Sequence, residues 1–518
     1  MSDVAGARAP SAGRREWIGL AVLVLPTLLV AMDMTSLFLA LPRLSADLGA
    51  NGTEQLWISD AYGFMVAGFV ITMGTLGDRI GRRRLLLLGG AAFAVLSVAA
   101  AYASTPEMMI VARGLLGVAG ATLMPSTLAL ISNMFRRDGQ RAKAISVWAT
   151  CQFAGGALGP VLAGVLLQHF WWGSVFLIAV PAMVVLLLAG PVLLPEYRNP
   201  APGRMDPVSV ALSLGAVLAV VYGLKQLAVE GAHDLALPLA AIVVGTAVGV
   251  VFVRRQLTLD TPLLDLRLFG NRSFTAVLVA LVLAGVAMAG TGLLVTQYLQ
   301  SVLGHSPAGS ALLFAPMGLG VAVGTMTAPA LASRMRPTTA IAGGLAVSVL
   351  GCLLLTQVSS TGGLPLVIVG ITVLALGTGP LFALGTGMVV GSVPPERAGS
   401  AASMSETSNY FGSSLGLALL GVTAASVYQH HMAHAGVPAA RETLAGAVTA
   451  ARNLPSDQAA ELLHTAKDAF TSGLNLTGAI AAALFAALAV LTATTRRESA
   501  QAAVELPETQ VELEGASS

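Results

Sequence analysis

Gly74-Thr75-Leu76-Gly77-Asp78-Arg79-Ile80-Gly81-Arg82-Arg83-Arg84 is a short charged knot between two long apolar runs, one ending at Met73 and the next beginning at Leu85. Gly81 permits a tight turn. Asp78 can cap a helix or accept charge-assisted hydrogen bonds. Arginines at 79, 82, 83 and 84 resist translocation, so they hold the turn at the cytoplasmic face of a membrane. The stretch reads as the inner turn of a transmembrane hairpin.

The same alternation extends in both directions. Candidate helices start near Trp17, Leu56, Leu85, Met108, Ala142, Trp172, Asp206, Leu235, Ser273, Ala308, Thr338, Leu364, Ala398 and Phe470, fourteen in all. Composition agrees: 55% of the 518 residues are hydrophobic and 10% charged, whereas soluble domains carry about 25% charged residues. A soluble enzyme is excluded, and the chain is expected to be an all-α polytopic membrane protein. Arg14 and Arg15 precede an apolar run from Trp17 to Leu41 that is too long for a signal-peptide core, so it reads as a retained first helix. The charge balance of 28 − 26 = +2 gives no basic excess that would suggest a nucleic-acid partner. Cys151 and Cys352 lie in apolar runs and read as small core residues.

With fourteen spans, alternate loops collect the cations. Of the 28 Lys and Arg residues, Arg43, Lys225, Arg441, Arg452 and Lys467 fall outside and Arg113 falls in a span, leaving 28 − 6 = 22 on one side. Both termini are therefore expected in the cytoplasm. Gly155-Gly156-Ala157-Leu158-Gly159 in helix 5 is echoed by Gly412-Ser413-Ser414-Leu415-Gly416 in helix 13, and Gly120-Ala121-Thr122 by Gly377-Thr378-Gly379. The offsets agree (412 − 155 = 257; 377 − 120 = 257). An interval of eight helices rather than six implies two six-helix halves separated by an inserted pair, although similar composition alone can also make two packing helices look alike. The expected division is a cytoplasmic N-terminus at 1–16, a six-helix bundle at 17–195, the inserted pair at 206–254 and a second bundle at 273–495. That second bundle contains a long extracellular loop at 428–469, and a disordered acidic tail occupies 496–518.

Asp33, Asp60, Arg113 and Glu406 are the Asp, Glu, Lys or Arg residues that fall clearly inside spans. An ionised group there costs roughly 2.5–3.5 kcal/mol and is a functional candidate by default. Asp33 lies roughly 24 Å along helix 1 and Glu406 roughly 12 Å along helix 13, at 1.5 Å per residue. Burial raises a carboxylate's pKa and a nearby cation lowers it, so such groups suit the exchange of a proton for a cationic or polar solute. Asp60, one turn from the outer surface, is equally readable as a helix N-terminal acid. Arg113 can pair with a carboxylate such as Asp33 or bond backbone carbonyls. Tyr62, Trp148, Phe153, Tyr410 and Phe411 could receive flat cations by stacking, with ordinary packing as the other reading.

The 74–84 turn resembles the signature loop of the major facilitator superfamily. Arg113 with Gly117 and Gly120 resembles its helix 4 motif, and Gly155-Gly156-Ala157-Leu158-Gly159-Pro160 is similar to the helix 5 signature of its exporters. Met32-Asp33-Met34-Thr35 with Ala40-Leu41-Pro42, and Leu56-Trp57-Ile58-Ser59-Asp60-Ala61-Tyr62, resemble the fourteen-helix drug:proton antiporters, closest to quaternary-ammonium and multidrug exporters. The resemblance implies two rocking halves that export lipophilic, often monocationic compounds against inward proton flow in a bacterial inner membrane. It implies proton coupling at Asp33, Glu406, Arg113 and Asp60, and substrate contact at Asp33, Glu406 and the five aromatics. Gating falls to Gly74, Asp78, Arg79, Gly81, Arg82, Gly155, Gly159 and Pro160.

Some departures stand out. Positions where some relatives carry further acids read Ser405, Tyr410 and Val321, which disfavours dications. The second-half echo of the loop, Leu331-Ala332-Ser333-Arg334-Met335-Arg336, lacks the aspartate. Lys143, Lys225 and Lys467 follow Ala, Leu and Ala, so no Walker loop exists and the proton gradient is the expected energy source. No cofactor or metal is expected; His430, His431 and His434 read as an exposed polar cluster. The expected partners are the bilayer, protons and small substrates, with the chain a monomer. Two alternatives remain: a same-fold exporter dedicated to one metabolite or endogenous antibiotic, and a non-transporting sensor or assembly subunit.

Overall fold

A segment crossing hydrocarbon must satisfy its own backbone polar groups, and among the described residues fourteen helices are long and apolar enough to do so. They are α1 Arg14–Leu37, α2 Trp57–Ile80, α3 Arg82–Ala101, α4 Pro106–Met134, α5 Asp138–His169, α6 Ser174–Leu193 and α7 Pro207–Leu224. The second set is α8 Ala236–Thr258, α9 Phe274–Val302, α10 Gly309–Arg334, α11 Pro337–Leu355, α12 Leu364–Gly391, α13 Ala398–His431 and α14 Ser456–Ala493. The computed structural model describes residues 11–50, 52–198, 206–230, 235–259, 262–264, 266–394 and 398–504, and among them no strand occurs.

Local chemistry sets several helix ends. Thr105 accepts a hydrogen bond from the Met108 amide at 3.2 Å and is followed by Pro106, a capped start for α4. Gly81, at φ 112°, makes the sharp turn between α2 and α3 that a side chain would strain.

Two expectations need correction. The connection expected at 428–469 is shorter and partly helical: α13 runs to His431, short helices occupy Pro438–Glu442 and Leu444–Ala451, and the last helix begins at Ser456. The polar opening turns of that last helix, with Asp457, Glu461 and Lys467, are helical although hydropathy gives no signal there. The same helix continues to Val504, so residues 496–504 are helical rather than tail. Residues 505–518 and 1–10 lie outside the described residues.

The helices pack in two matching sets. α1 lies on α5 as α9 lies on α13; α2 on α4 as α10 on α12; α3 on α4 as α11 on α12; α3 on α6 as α11 on α14. Glycine allows the closest of these approaches. A Cβ on Gly155 would strike the Leu28 carbonyl and one on Gly159 would come 2.7 Å from the Met32 carbonyl. In the twin, Gly412 and Gly416 press on the carbonyls of Val282 and Val286. The echoed motif is therefore one packing device used twice. Pro160, next to Gly159, removes an amide donor inside α5.

The halves meet along two seams, α2 against α13 and α10 against α5. The pair α7–α8 packs mainly on itself, and α7 also rests on α2 and α13. Its end beside the α2–α3 turn is tied down by a chain of polar contacts. Asp206 accepts from Arg255 Nε at 2.6 Å and Ser209 Oγ at 2.7 Å; Gln256 donates to Ser209 Oγ at 2.7 Å and accepts from the Leu263 amide at 2.6 Å. The Leu263 carbonyl then accepts from Thr75 Oγ1 on α2 at 3.1 Å.

Candidate functional site

Asp33 and Arg113 find each other in the first half. Arg113 Nη1 donates to Asp33 Oδ2 at 2.5 Å, and Arg113 Nε donates to the Ile58 carbonyl at 3.4 Å. Both readings of Arg113 thus hold at once. The guanidinium is 1% exposed, with the Tyr62 ring 4.7 Å and the Phe176 ring 5.9 Å away. Tyr62 is fully buried and stacks on the arginine, so it brackets the ion pair instead of facing an open cavity. Asp60 is half-buried, two residues beyond Ile58 on α2.

Glu406 sits at the junction of the halves and is 4% exposed. Gln152, on α5 of the opposite half, donates its amide to Glu406 Oε2 at 3.3 Å. Beside them is a cavity of ≈ 10 Å³, about the size of one water molecule, lined by Trp148, Gln152, Phe382, Thr386, Ser405, Glu406 and Asn409 among others. Trp148 is buried, with its indole N–H donating to Thr127 Oγ1 at 3.1 Å. Phe153 meets Phe382 across the halves with ring centroids 4.8 Å apart. Tyr410, one helical turn from Glu406, directs its hydroxyl to Met34 Sδ at 4.0 Å. Phe411 departs from expectation. Five residues past Glu406, it is turned about 140° around the helix, and it is 36% exposed.

The α2–α3 turn forms a latch onto the second half. Arg82 Nε donates to Asp78 Oδ1 at 2.8 Å, while Arg82 Nη2 reaches Asp78 and the Gly74 carbonyl. The other Asp78 oxygen accepts from both the amide and the hydroxyl of Ser400 at the start of α13, each at 3.0 Å. Gly74 lets α13 close in: a Cβ there would come 2.5 Å from Ser403 Oγ. A Cβ on Gly399 would overlap the Arg82 guanidinium. Glu196 braces the turn by accepting from the Arg83 amide at 3.0 Å. Arg79 is half-buried at the same turn.

Several partners carry no mark in the sequence: Gln152, Gly399, Ser400 and Ser403. They are neutral and small or helix-compatible, so neither hydropathy nor charge marks them. The small-residue run Ala398–Ser403 was the available signal for a close crossing.

An all-helical molecule of twin bundles, with buried ions at the junction of its halves, has the architecture of a membrane transporter. Residues 23–417 match the Major Facilitator Superfamily. The chain belongs to that superfamily and is a multi-pass membrane transporter. It is 42% identical to the multidrug efflux pump LfrA of Mycolicibacterium smegmatis, covering 92% of this chain and 95% of that one. It is 34% identical to the methyl viologen resistance protein SmvA of Salmonella typhimurium (88% and 93% covered). It is also 32% identical to the tetracenomycin C resistance and export protein of Streptomyces glaucescens (96% and 94% covered). The human organic anion transporter MFSD10 (TETRAN) shares the fold, with TM-score 0.59 at 14% identity, covering 91% of this chain and 99% of that one.

Proposed function

We propose that the chain is a proton-coupled multidrug efflux pump. It exchanges inward-moving protons for lipophilic, often monocationic compounds by alternating access, working as a monomer in a bacterial inner membrane with both termini in the cytoplasm. The observation that carries this reading is Glu406, a carboxyl held out of water at the junction of the halves with a neutral amide of the opposite half as its partner. Such a group can take a proton from one side and release it to the other as the halves rock. The Asp33–Arg113 pair offers a second ionisable unit, and Asp60 a third carboxylate nearer the surface. Phe153 and Tyr410, at the junction with Glu406, are the aromatic surfaces for a flat cation.

The test is ethidium efflux from vesicles with and without a proton gradient. Gradient-dependent efflux is expected in the native chain, and its loss in Glu406→Gln at unchanged protein yield. Efflux by Glu406→Gln at the native rate refutes the role of this carboxyl. Relatives named for tetracenomycin C and puromycin favour, as a second reading, an exporter dedicated to one metabolite; a competition panel in which a single chemical class competes would select it.

A further inference from the structure

The two seams between the halves differ on the face that carries the α2–α3 turn. On one, Asp78, Arg82 and Ser400 latch α2 to α13. On the other, the corresponding turn Leu331–Arg336 has no aspartate. There α5 and α10 touch at Thr150 and Thr325, whose hydroxyl oxygens are 2.6 Å apart. Towards the face they part into a cleft of ≈ 1250 Å³, bounded also by the end of α12 and the start of α11.

The cleft has two chemistries. Its interior is apolar, with Ile145, Met326, Pro329, Leu384 and Met388. Its lip at the start of α5 is basic, with Arg137 just before the helix and Arg141 and Lys143 in it, against a single lining acid, Asp138, which Arg141 meets at 2.6 Å. It is also open sideways. Met326 is 52% exposed and continues, at steps of four and three residues, the exposed stripe Leu319–Val323 on α10, the face such a helix turns to hydrocarbon. An apolar slot with a cationic lip at the edge of the bilayer fits a molecule with an anionic head and a hydrocarbon tail. A lipophilic cation would meet repulsion at that lip.

We propose that this cleft holds an anionic phospholipid, its phosphate at Arg137, Arg141 and Lys143 and an acyl chain between α10 and α12. The proposal does not depend on what the protein exports. The full chain in detergent, offered equal amounts of phosphatidylglycerol and phosphatidylcholine, should retain the anionic lipid in native mass spectrometry. Arg137→Glu/Lys143→Glu should lower that retention by roughly tenfold, and Arg452→Glu, remote from the cleft, should leave it unchanged. Ala330→Trp, which fills the slot and leaves the basic lip in place, should lower it as well. Glycerophosphoglycerol, the head without chains, should not displace the lipid. Equal retention of both lipids, indifference to the charge reversal or to Ala330→Trp, or displacement by the bare head group or by ethidium would each overturn it.

Discussion

Arg113 has Asp33 as its carboxylate partner. The guanidinium is 1% exposed and lies against two aromatic rings, so removing its carboxylate partner strands a charge. Breaking a buried pair on one side costs about 3–5 kcal/mol. Asp33→Asn should therefore abolish pH-driven exchange and also lower thermal stability in detergent. Asp33→Asn/Arg113→Gln should recover most of the stability and none of the coupling. Equal stability of the single variant and the native chain would mean that the pair does not hold the fold. Ions in apolar runs are conspicuous, which is why Asp33, Arg113 and Glu406 were legible in the sequence. Gln152 was not, because a neutral amide in a helix carries no such mark. The inward or outward aim of an aromatic is equally silent, as Tyr62 and Phe411 show.

At the scale of elements, glycine spacing sets how helices cross. Gly159→Val in α5 and Gly416→Val in α13 should each cost about 1–3 kcal/mol by overpacking, read as similar drops in Tm, because both press on a carbonyl of the facing helix. A loss confined to one of the two would break the equivalence of the halves. The α7–α8 pair has its own electrostatic tie. The Arg255 hydrogen bond, helped by Ser209, holds Asp206 below the usual carboxylate range. A depressed pKa means that the stabilisation is present above the unfolded value of about 4 and fades as pH falls towards the folded one. The Tm difference between the native chain and Asp206→Asn should accordingly be present at neutral pH and shrink in acid. A difference that grows in acid would have the wrong sign.

At the scale of the whole molecule, function requires that the seams open and close. Charge-assisted hydrogen bonds contribute about 1.5–3 kcal/mol each, enough to shift a closed–open equilibrium by roughly ten- to hundredfold. Asp78→Asn should thus open the α2–α13 seam. In a chain lacking Cys151 and Cys352, a cysteine at buried position 403 should react with a membrane-impermeant maleimide at least roughly tenfold faster in that variant. An unchanged rate would show that other contacts hold the seam. Thr75, adjacent to Gly74, joins this latch to the α7–α8 pair through Leu263 and Gln256, so that pair braces the α2–α13 seam.

Hydropathy and charge asymmetry are local records of how each segment partitions between water and lipid. From them come the fourteen spans and the ions that fall within them, while the spacing of the echoed glycine motifs points to the extra helix pair. They could not say that helix would persist through 456–469 and 496–504, since polar helical turns in water leave no hydropathic trace. Partnerships were decided only by the tertiary structure. Asp78 meets Ser400 across 322 residues of chain and Gln152 meets Glu406 across 254. Those meetings depend on interhelical register, set by glycine contacts and the matching helix packing of the two bundles, and register is a property of packed surfaces rather than of any one stretch of chain.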